Sequence, residues 1–183
     1  MDIPPGCEVD GEKFIYCQEN FEGEITIPEG IKTIESNAFC WCAAITRVHI
    51  PDGVAHIGWD AFMECHSLTD INIPASITEI GDRAFQQCSS LSHIHITSNA
   101  TKIGEQAFDG CESLEYAIVP KTCHVAANAF PESCRTFNSL AEYRIHLAKK
   151  IAEDRAADGV EIVGMHAPDL EDGIEVGSGG RII

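Results

Sequence analysis

The sequence predicts a solenoid of stacked 23-residue units, because one nine-residue phrase recurs along the chain at a constant spacing. The phrase reads IGWDAFMEC, IGDRAFQQC and IGEQAFDGC, with a divergent copy, IESNAFCWC, before them. Its phenylalanines and its final cysteines each recur every 23 positions: Phe39, Phe62, Phe85 and Phe108, and Cys42, Cys65, Cys88 and Cys111. A fixed period of about 20 to 50 residues is the signature of a repeat solenoid.

One unit, residues 74–96, shows which elements each repeat is expected to form. A turn at Pro74 leads into a short extended piece, ITEI, and then into a tight corner, DRAFQQC. The corner suits a single helical or 3-10 turn that points Phe85 and Cys88 inward. The unit ends in HIHI, where apolar and polar residues alternate as in a half-buried strand. Such a unit cannot bury its apolar side alone, so neighbouring units must stack into one core.

The complete pattern, L-x-x-I-x-I-P-x-x-I-x-x-I-G-x-x-A-F-x-x-C, resembles the BspA-like, or Treponema-type, leucine-rich repeat over about residues 25–119. A fifth unit, 119–134, fits the pattern with one residue deleted. The resemblance implies a leucine-rich-repeat solenoid, a β-rich α/β fold with a parallel sheet on one face and short helical or 3-10 turns on the other. It also implies a family of binding and adhesion proteins, often on cell surfaces, without specifying a ligand.

The chain divides into four segments. These are an N-terminal cap at 1–24, about five repeat units at 25–138, a C-terminal capping helix at 139–158 and an acidic, glycine-rich tail at 159–183. Asp10-Gly11 between two short extended runs indicates a hairpin, and Ser139-Leu-Ala-Glu is a capping-box sequence that opens a helix. We expect the hairpin and the helix to cover the two ends of the solenoid, since both ends need covering.

Charge and hydropathy restrict the partner class. The chain has 12 basic and 29 acidic residues, a net charge of −17, and most of the excess lies before Ser139. An acidic surface repels phosphate backbones, so no nucleic-acid partner is expected. Apolar runs fall short of the roughly 18 residues that a membrane helix needs, so no membrane insertion is expected. Acidic side chains also oppose self-association, which favours a monomer.

The location of the protein stays open at this point. The N-terminal sequence MDIPPGCEVDGE has neither a basic region nor an apolar stretch typical of a secretory signal. This favours the cytoplasm if Met1 is the native start. The family resemblance instead favours the cell surface or secretion.

Nine cysteines cannot all pair within one chain, because the number is odd. The four that recur with the period are expected to act as small buried hydrophobic residues with weak S–H donors. Two further pairs are candidates for disulfides in the caps if the protein is extracellular: Cys7 with Cys17, and Cys123 with Cys134. The C-x-C spacing of Cys40 and Cys42 differs from the C-x₂-C of zinc sites, so neither a metal site nor a cofactor is predicted.

Function is expected where the copies differ, which is on the outward side of the strands. One outward column contains Arg47, Asp70, His93 and Tyr116, and the other contains His49, Asn72, His95 and Ile118. The exposed sheet face is the usual binding surface of a repeat array. We therefore expect these residues to bind a protein or another extended macromolecule.

Three alternative hypotheses for the function stand beside macromolecular binding by the sheet face. The sequence contains no G-x-S-x-G, H-E-x-x-H, P-loop or G-x-G-x-x-G motif, so we predict no catalytic residues and no enzyme activity. The chain is alternatively a structural spacer, or a repeat fragment of a larger surface protein. A last alternative is metal- or pH-responsive binding by a histidine cluster: His49, Asp70, His93 and His95.

Overall fold

The computed structural model describes residues 3–97 and 101–157. The chain forms two compact units, Met1–Ser139 and Leu140–Ile183. The first unit contains the strands of the described residues, and the second begins with a helix. The tail that we predicted at 159–183 lies outside the described residues.

Thirteen strands and one helix are present in the described part of the chain. The strands are β1 (Cys7–Asp10), β2 (Lys13–Cys17), β3 (Gly23–Thr26), β4 (Thr33–Ile34), β5 (Ile45–His49), β6 (His56–Ile57), β7 (Asp70–Ile71), β8 (Glu79–Ile80), β9 (His93–His95), β10 (Lys102–Ile103), β11 (Tyr116–Ile118), β12 (His124–Val125) and β13 (Arg135–Phe137). The helix is α1 (Leu140–Ala157), which begins directly after the predicted cap residue Ser139.

Short extended pieces such as ITEI line up into a seven-stranded sheet with the order β1-β2-β4-β6-β8-β10-β12. All of its pairs are parallel except β1 with β2, which form the predicted N-terminal hairpin. The hairpin therefore adds two strands to one end of the sheet. It continues the hydrogen-bonded ladder of the repeat units through the parallel pairing of β2 with β4.

The half-buried strands form a second parallel layer, divided into two sheets of three strands, β3-β5-β7 and β9-β11-β13. Between β7 and β9 the pairing is reduced to one isolated bridge, Ile73 with Ile96. The interruption lies beside Thr97, the one position at which the repeat replaces its proline. Each unit thus contributes one strand to each layer, joined by a turn on one side and a tight corner on the other.

The corners carry their own ladder between units. In DRAFQQC, the backbone N–H groups of Arg83, Phe85 and Gln87 donate to carbonyl oxygens of the following unit at 2.9, 2.7 and 2.8 Å. The residues between them donate to the carbonyl oxygen three positions back. The expected single helical or 3-10 turn is therefore a series of short turns, because every second donor is used by the next unit.

A single file of aromatic rings forms the centre of the core. Phe39, Phe62, Phe85 and Phe108 are fully buried, and the centroids of successive rings lie 4.8, 5.1 and 5.0 Å apart with planes within 7° of parallel. Phe14 of the hairpin and Phe130 of the last unit extend the file at 4.7 and 4.8 Å. The predicted inward column is confirmed, and it is longer than the exact repeat.

The recurring cysteines are buried and hydrogen-bonded to the preceding unit. The thiols of Cys65, Cys88 and Cys111 each lie 3.1 Å from the carbonyl oxygen of a stacked phenylalanine. Burial is the main cause that raises the pKa of the Cys65 and Cys88 thiols well above the ordinary value. The Cys65 and Cys88 thiols therefore remain protonated donors, which fits a structural role and not a nucleophilic one.

The glycine of the repeated phrase is needed because adjacent units approach closely at that point. A Cβ atom built on Gly81 would lie 2.8 Å from backbone atoms of Gly58 and Trp59. Contacts that short require the backbone of the neighbouring unit to move. The first, divergent copy has Glu35 at this position, and the neighbour there is the hairpin.

Within the described residues, no helix is long and apolar enough to cross a bilayer.

Candidate functional site

The outward positions of β3, β5, β7, β9 and β11 form what we call the sheet surface. Its residues are Glu24, Thr26, Arg47, His49, Asp70, Asn72, His93, His95 and Tyr116. Strand pairing aligns them in rows, since residues 23 positions apart occupy the same point of neighbouring strands. The structure divides the rows into an ionic part and an aromatic part.

The ionic part is a row of three charged side chains on β3, β5 and β7. The Arg47 guanidinium donates through Nη1 to Glu24 Oε1 at 2.9 Å and through Nε to Asp70 Oδ2 at 3.0 Å. Pairing in register places the three residues side by side. Arg47 is 46% exposed, so solvent and salt weaken these pairs. Together the three side chains leave one net negative charge on this part of the surface.

The aromatic part lies on β9 and β11, beyond the interruption in the sheet. His93 and Tyr116 are paired across the strands, with ring centroids 5.6 Å apart and planes 18° from parallel. The imidazole Nδ1 of His93 is 3.0 Å from the Ser92 hydroxyl oxygen. Both rings are half-buried, so each presents one side to solvent. A stacked pair of this kind offers a flat, partly apolar contact area with polar edges.

His95 lies on the same strand as His93 and is exposed. Partial burial, and to a lesser extent the neighbouring His93, lower the pKa of the His95 imidazole. His95 is therefore neutral at neutral pH. It can accept or donate a hydrogen bond to a partner, but it does not supply a positive charge.

Asn72 has a structural task despite its exposure. Its side-chain amide accepts from Ile50 N at 2.8 Å and donates to Ile50 O at 2.7 Å. The ladder between β5 and β7 ends at Ile71, so the amide continues the pairing that the backbone no longer supplies. Only the outer edge of Asn72 remains for a partner.

Ile118 is a correction to the predicted surface. The alternation along β11 predicted an outward side chain, but Ile118 is only 3% exposed. Its parallel neighbour is Phe137 of β13, itself 6% exposed, and the two apolar side chains lie on the same face. An apolar pair at this end of the sheet is covered, and Ile118 is withdrawn from the candidate binding residues.

Arg135 extends the Tyr116 row and was missed by sequence reasoning. It pairs with Tyr116 in register and is exposed. The 23-residue period would place this position at Ser139, but only 19 residues separate Tyr116 from Arg135. The one indication in the sequence was the shortened fifth unit, where the 23-residue period is no longer kept.

The predicted histidine cluster does not form a metal site. Among residues 3–97 and 101–157, no group of three or more His, Cys, Asp or Glu side chains is placed to hold a metal ion. Asp70 is bound to Arg47, and the strands that carry Asp70 and His93 lie on either side of the sheet interruption. The metal form of the histidine alternative is therefore not carried further.

Comparison with known proteins identifies the repeat. The model of the BspA type leucine rich repeat region matches residues 9–138 in six copies. We expected about five units from residue 25, and the matched range begins inside the hairpin, where Phe14 opens the aromatic file. No curated protein matches the chain.

Two solved structures share the fold. A leucine rich cell surface protein from Faecalibacterium prausnitzii A2-165 is 32% identical, with a TM-score of 0.64 over 72% of this chain and 36% of its own. The pneumococcal vaccine antigen PcpA is 16% identical, with a TM-score of 0.55 over 73% of this chain and 36% of its own. The chain thus spans about a third of the length of either protein.

A family model that covers most of the chain agrees with stacked phenylalanines, buried thiols and two parallel layers at one common period. The chain belongs to the BspA-type leucine-rich repeat family.

Proposed function

We propose that this chain is a non-enzymatic binding module of a cell-surface protein, and that it holds a protein partner through the sheet surface. The name of the Faecalibacterium protein, which is 32% identical, supports the location. Because the chain spans 36% of that protein, the module would be one part of a longer molecule. We expect it to be monomeric.

One observation supports the sheet surface above other faces: the inward positions repeat, whereas the outward positions differ from unit to unit. The inward column is phenylalanine in every unit. The outward row runs from Glu24 through Arg47 to Asp70, and then from His93 to Tyr116 and Arg135. Packing alone would tolerate one repeated polar residue there, so the variation favours recognition.

The two parts of the surface would play different roles in binding. Tyrosine is enriched among residues that dominate interface energies, so Tyr116, with His93 stacked against it, is proposed as the anchor. The acidic excess of the chain would steer a basic partner towards the surface and affect mainly the association rate. A partner would break the ion pairs of Arg47 only if its own acceptors replaced the carboxylates of Glu24 and Asp70.

The test uses matched pairs of substitutions on the two layers of the solenoid. The immobilised wild-type chain is first screened by biolayer interferometry against purified extracellular domains and matrix proteins. Each binder is then compared with His93→Ala/Tyr116→Ala, and with the control His124→Ala/Tyr16→Ala. The control removes the same residue types from exposed positions of the seven-stranded sheet.

The sheet-surface variant should weaken binding at least about tenfold, because truncating an anchor residue costs about 2 kcal/mol or more and about 1.4 kcal/mol corresponds to a factor of ten. The control should bind like the wild-type chain. Equal weakening in both variants, or none in the sheet-surface variant, would contradict the proposal. Circular dichroism must show that both variants remain folded.

The spacer reading remains as a second candidate, because the chain matches only part of a longer surface protein. A spacer would bind none of the screened proteins. If the chain is a spacer, the His93→Ala/Tyr116→Ala substitutions should leave the function of the longer protein unchanged. That result would favour the spacer hypothesis.

A further inference from the structure

Two thiols face each other across the N-terminal hairpin. Cys7 of β1 is paired with Cys17 of β2, and their Sγ atoms lie 3.1 Å apart. The sequence alone left this pair and Cys123–Cys134 as equal candidates for a disulfide. In the structure the Cys134 Sγ atom lies 3.9 Å from the Arg135 carbonyl oxygen. The Cys123 thiol is hydrogen-bonded with Thr101. The sulfur atoms of the hairpin pair are thus in contact.

The backbone around the pair suits a sulfur–sulfur bond. The N–H of Cys17 donates to Ala38 O at 2.7 Å, and the N–H of Cys7 donates to Pro4 O at 3.1 Å. Neither donates to the other, so the two form a non-hydrogen-bonded antiparallel pair. The Cα atoms of such pairs are about 4.5 Å apart, which lies within the range that disulfides span. Bond formation therefore requires a side-chain movement of about 1 Å and no rearrangement of the strands.

The two thiols differ in accessibility. Cys7 is half-buried and reachable from solvent, whereas Cys17 is fully buried beside the core. An external reagent therefore meets Cys7 first. Cys17 lies behind it at contact distance, where it can displace whatever group Cys7 acquires.

We propose that Cys7 and Cys17 are a redox modification site, at which a small-molecule disulfide such as oxidised glutathione converts the two thiols into a cross-strand disulfide. The Cys7 thiolate attacks one sulfur of oxidised glutathione, forms a mixed disulfide and releases one glutathione. The Cys17 thiolate then attacks Cys7 Sγ and releases the second glutathione. The protein loses two electrons, oxidised glutathione gains them, and the two thiol protons end on the two released glutathiones.

The disulfide would hold β1, an edge strand, to its neighbour β2. β1 is the edge of the seven-stranded sheet and is paired only with β2 in that sheet. A link between positions ten residues apart restricts the unfolded hairpin. It would hold the edge strand over β2, which carries Phe14, the first ring of the aromatic file. The modification would thus stabilise the end of the solenoid without touching the sheet surface.

The third thiol of the neighbourhood supplies an internal competitor. Cys42 Sγ lies 3.6 Å from the carbonyl oxygen of Cys17, and a hydrogen bond with the Cys17 side chain lowers the pKa of the Cys42 thiol. Burial raises the pKa of the Cys7 thiol, and the hydrogen bond with Cys42 together with burial raises the pKa of the Cys17 thiol well above its ordinary value, so both thiolate steps should proceed faster as pH rises. The half-exposed position of Cys7 still directs the reagent to the hairpin pair, because Cys42 is fully buried.

The experiment incubates the folded wild-type chain in an equal mixture of reduced and oxidised glutathione. Free thiols are then alkylated in denaturant, and the linkage is mapped by mass spectrometry without reduction. The expected product has one disulfide, between Cys7 and Cys17, and seven alkylated cysteines out of nine. No disulfide, a glutathione retained on Cys7, or a bond between Cys17 and Cys42 or between Cys123 and Cys134 would overturn the proposal.

Thermal unfolding provides the second measurement. Oxidation should raise the Tm of the wild-type chain by about 5 to 10 °C. Cys7→Ser should abolish this shift, and the control Cys123→Ser should keep it. An equal shift in Cys7→Ser would show that the stabilisation comes from another site. The linkage map is obtained on the unaltered chain, so it decides the proposal even if a variant folds poorly.

Discussion

The most demanding residues of this chain are those in the left-handed backbone region that are not glycine. Two positions of each of the first four corners have a positive φ: Asn37, Asp60, Arg83 and Gln106 at the first, and Trp41, Glu64, Gln87 and Gly110 at the second. The conformation alternates the direction of successive N–H groups, which allows each corner to bond both to itself and to the next unit. Only one of these eight positions is a glycine, so the others store strain.

Two adjacent glutamines allow this strain to be measured. Gln87→Gly should raise the free energy of unfolding by about 0.5 to 1 kcal/mol, because glycine enters the left-handed region without a Cβ penalty. Gln86→Gly should lower it by about 1 kcal/mol, since Gln86 has no positive φ and its amide donates to Asp109. Urea unfolding of the two variants decides this. Equal destabilisation by both would show that the left-handed conformation carries no cost.

The free energy of unfolding should depend on pH through His95, which lies on the sheet surface. Its folded-state pKa is lowered mainly by burial, whereas the unfolded value is about 6.5. Below that value the unfolded chain takes up a proton that the folded chain resists. Stability should therefore fall as pH drops from about 6.5 through the lower folded pKa.

His95→Gln should remove this part of the pH dependence. The free energies of unfolding of wild type and variant are compared from about pH 7.5 to about pH 5. The wild-type chain should lose more stability over this interval than the variant does. A constant difference between the two curves would contradict the assignment.

At the scale of elements, the aromatic file explains why one phrase is repeated. Each ring is covered by the ring of the unit above and of the unit below, at 4.7 to 5.1 Å. A unit that lacked its phenylalanine would leave two neighbours uncovered. The end ring, Phe130, has one neighbour in the file and is only partly buried.

Phe85→Ala should therefore cost about 3 to 5 kcal/mol of unfolding free energy, as expected for a large-to-small change in a packed core. Phe130→Ala should cost clearly less, because half of its contacts are absent from the start. Chemical denaturation of both variants tests the difference. A loss below about 1 kcal/mol for Phe85→Ala would contradict its central position.

The elements that sequence could predict are those whose side chains must match the next unit. Ring columns, thiol columns and the ITEI strands all face a neighbour of the same kind, so the requirement for one residue type shows in the sequence. The left-handed positions carry Asn, Asp, Arg and Gln. They could not be predicted, because the constraint there is on the backbone conformation and several different side chains satisfy it.

The surface was less predictable than the core for a related reason. Alternation correctly places His93 and His95 on the outward side of β9, but it cannot show that Phe137 covers Ile118. The period cannot locate Arg135, because the last unit is shorter. Both failures occur where the repeat ends and neighbouring units stop being alike.

At the scale of the whole molecule, the units are joined by side chains as well as by ladders. Arg83 forms a two-pronged pair with Asp60 at 2.8 and 2.9 Å, and Lys102 lies 3.3 Å from Glu79. Each of these pairs links residues 23 positions apart. Isolated pairs of this kind contribute little, and backbone pairing sets the register between units. Stability should thus depend on contacts between neighbours, as in other repeat proteins.

The most direct test of stacking is to add one unit. A second copy of residues 60–82, inserted after position 82, preserves every column because its length equals the period. The urea m-value, which follows the surface exposed on unfolding, should rise by about a sixth with cooperative unfolding retained. Inserting a second copy of only residues 60–71 should instead lower stability, because its length does not equal the period and the columns no longer align. Equal effects of the two insertions, or an unchanged m-value for the longer one, would contradict the account.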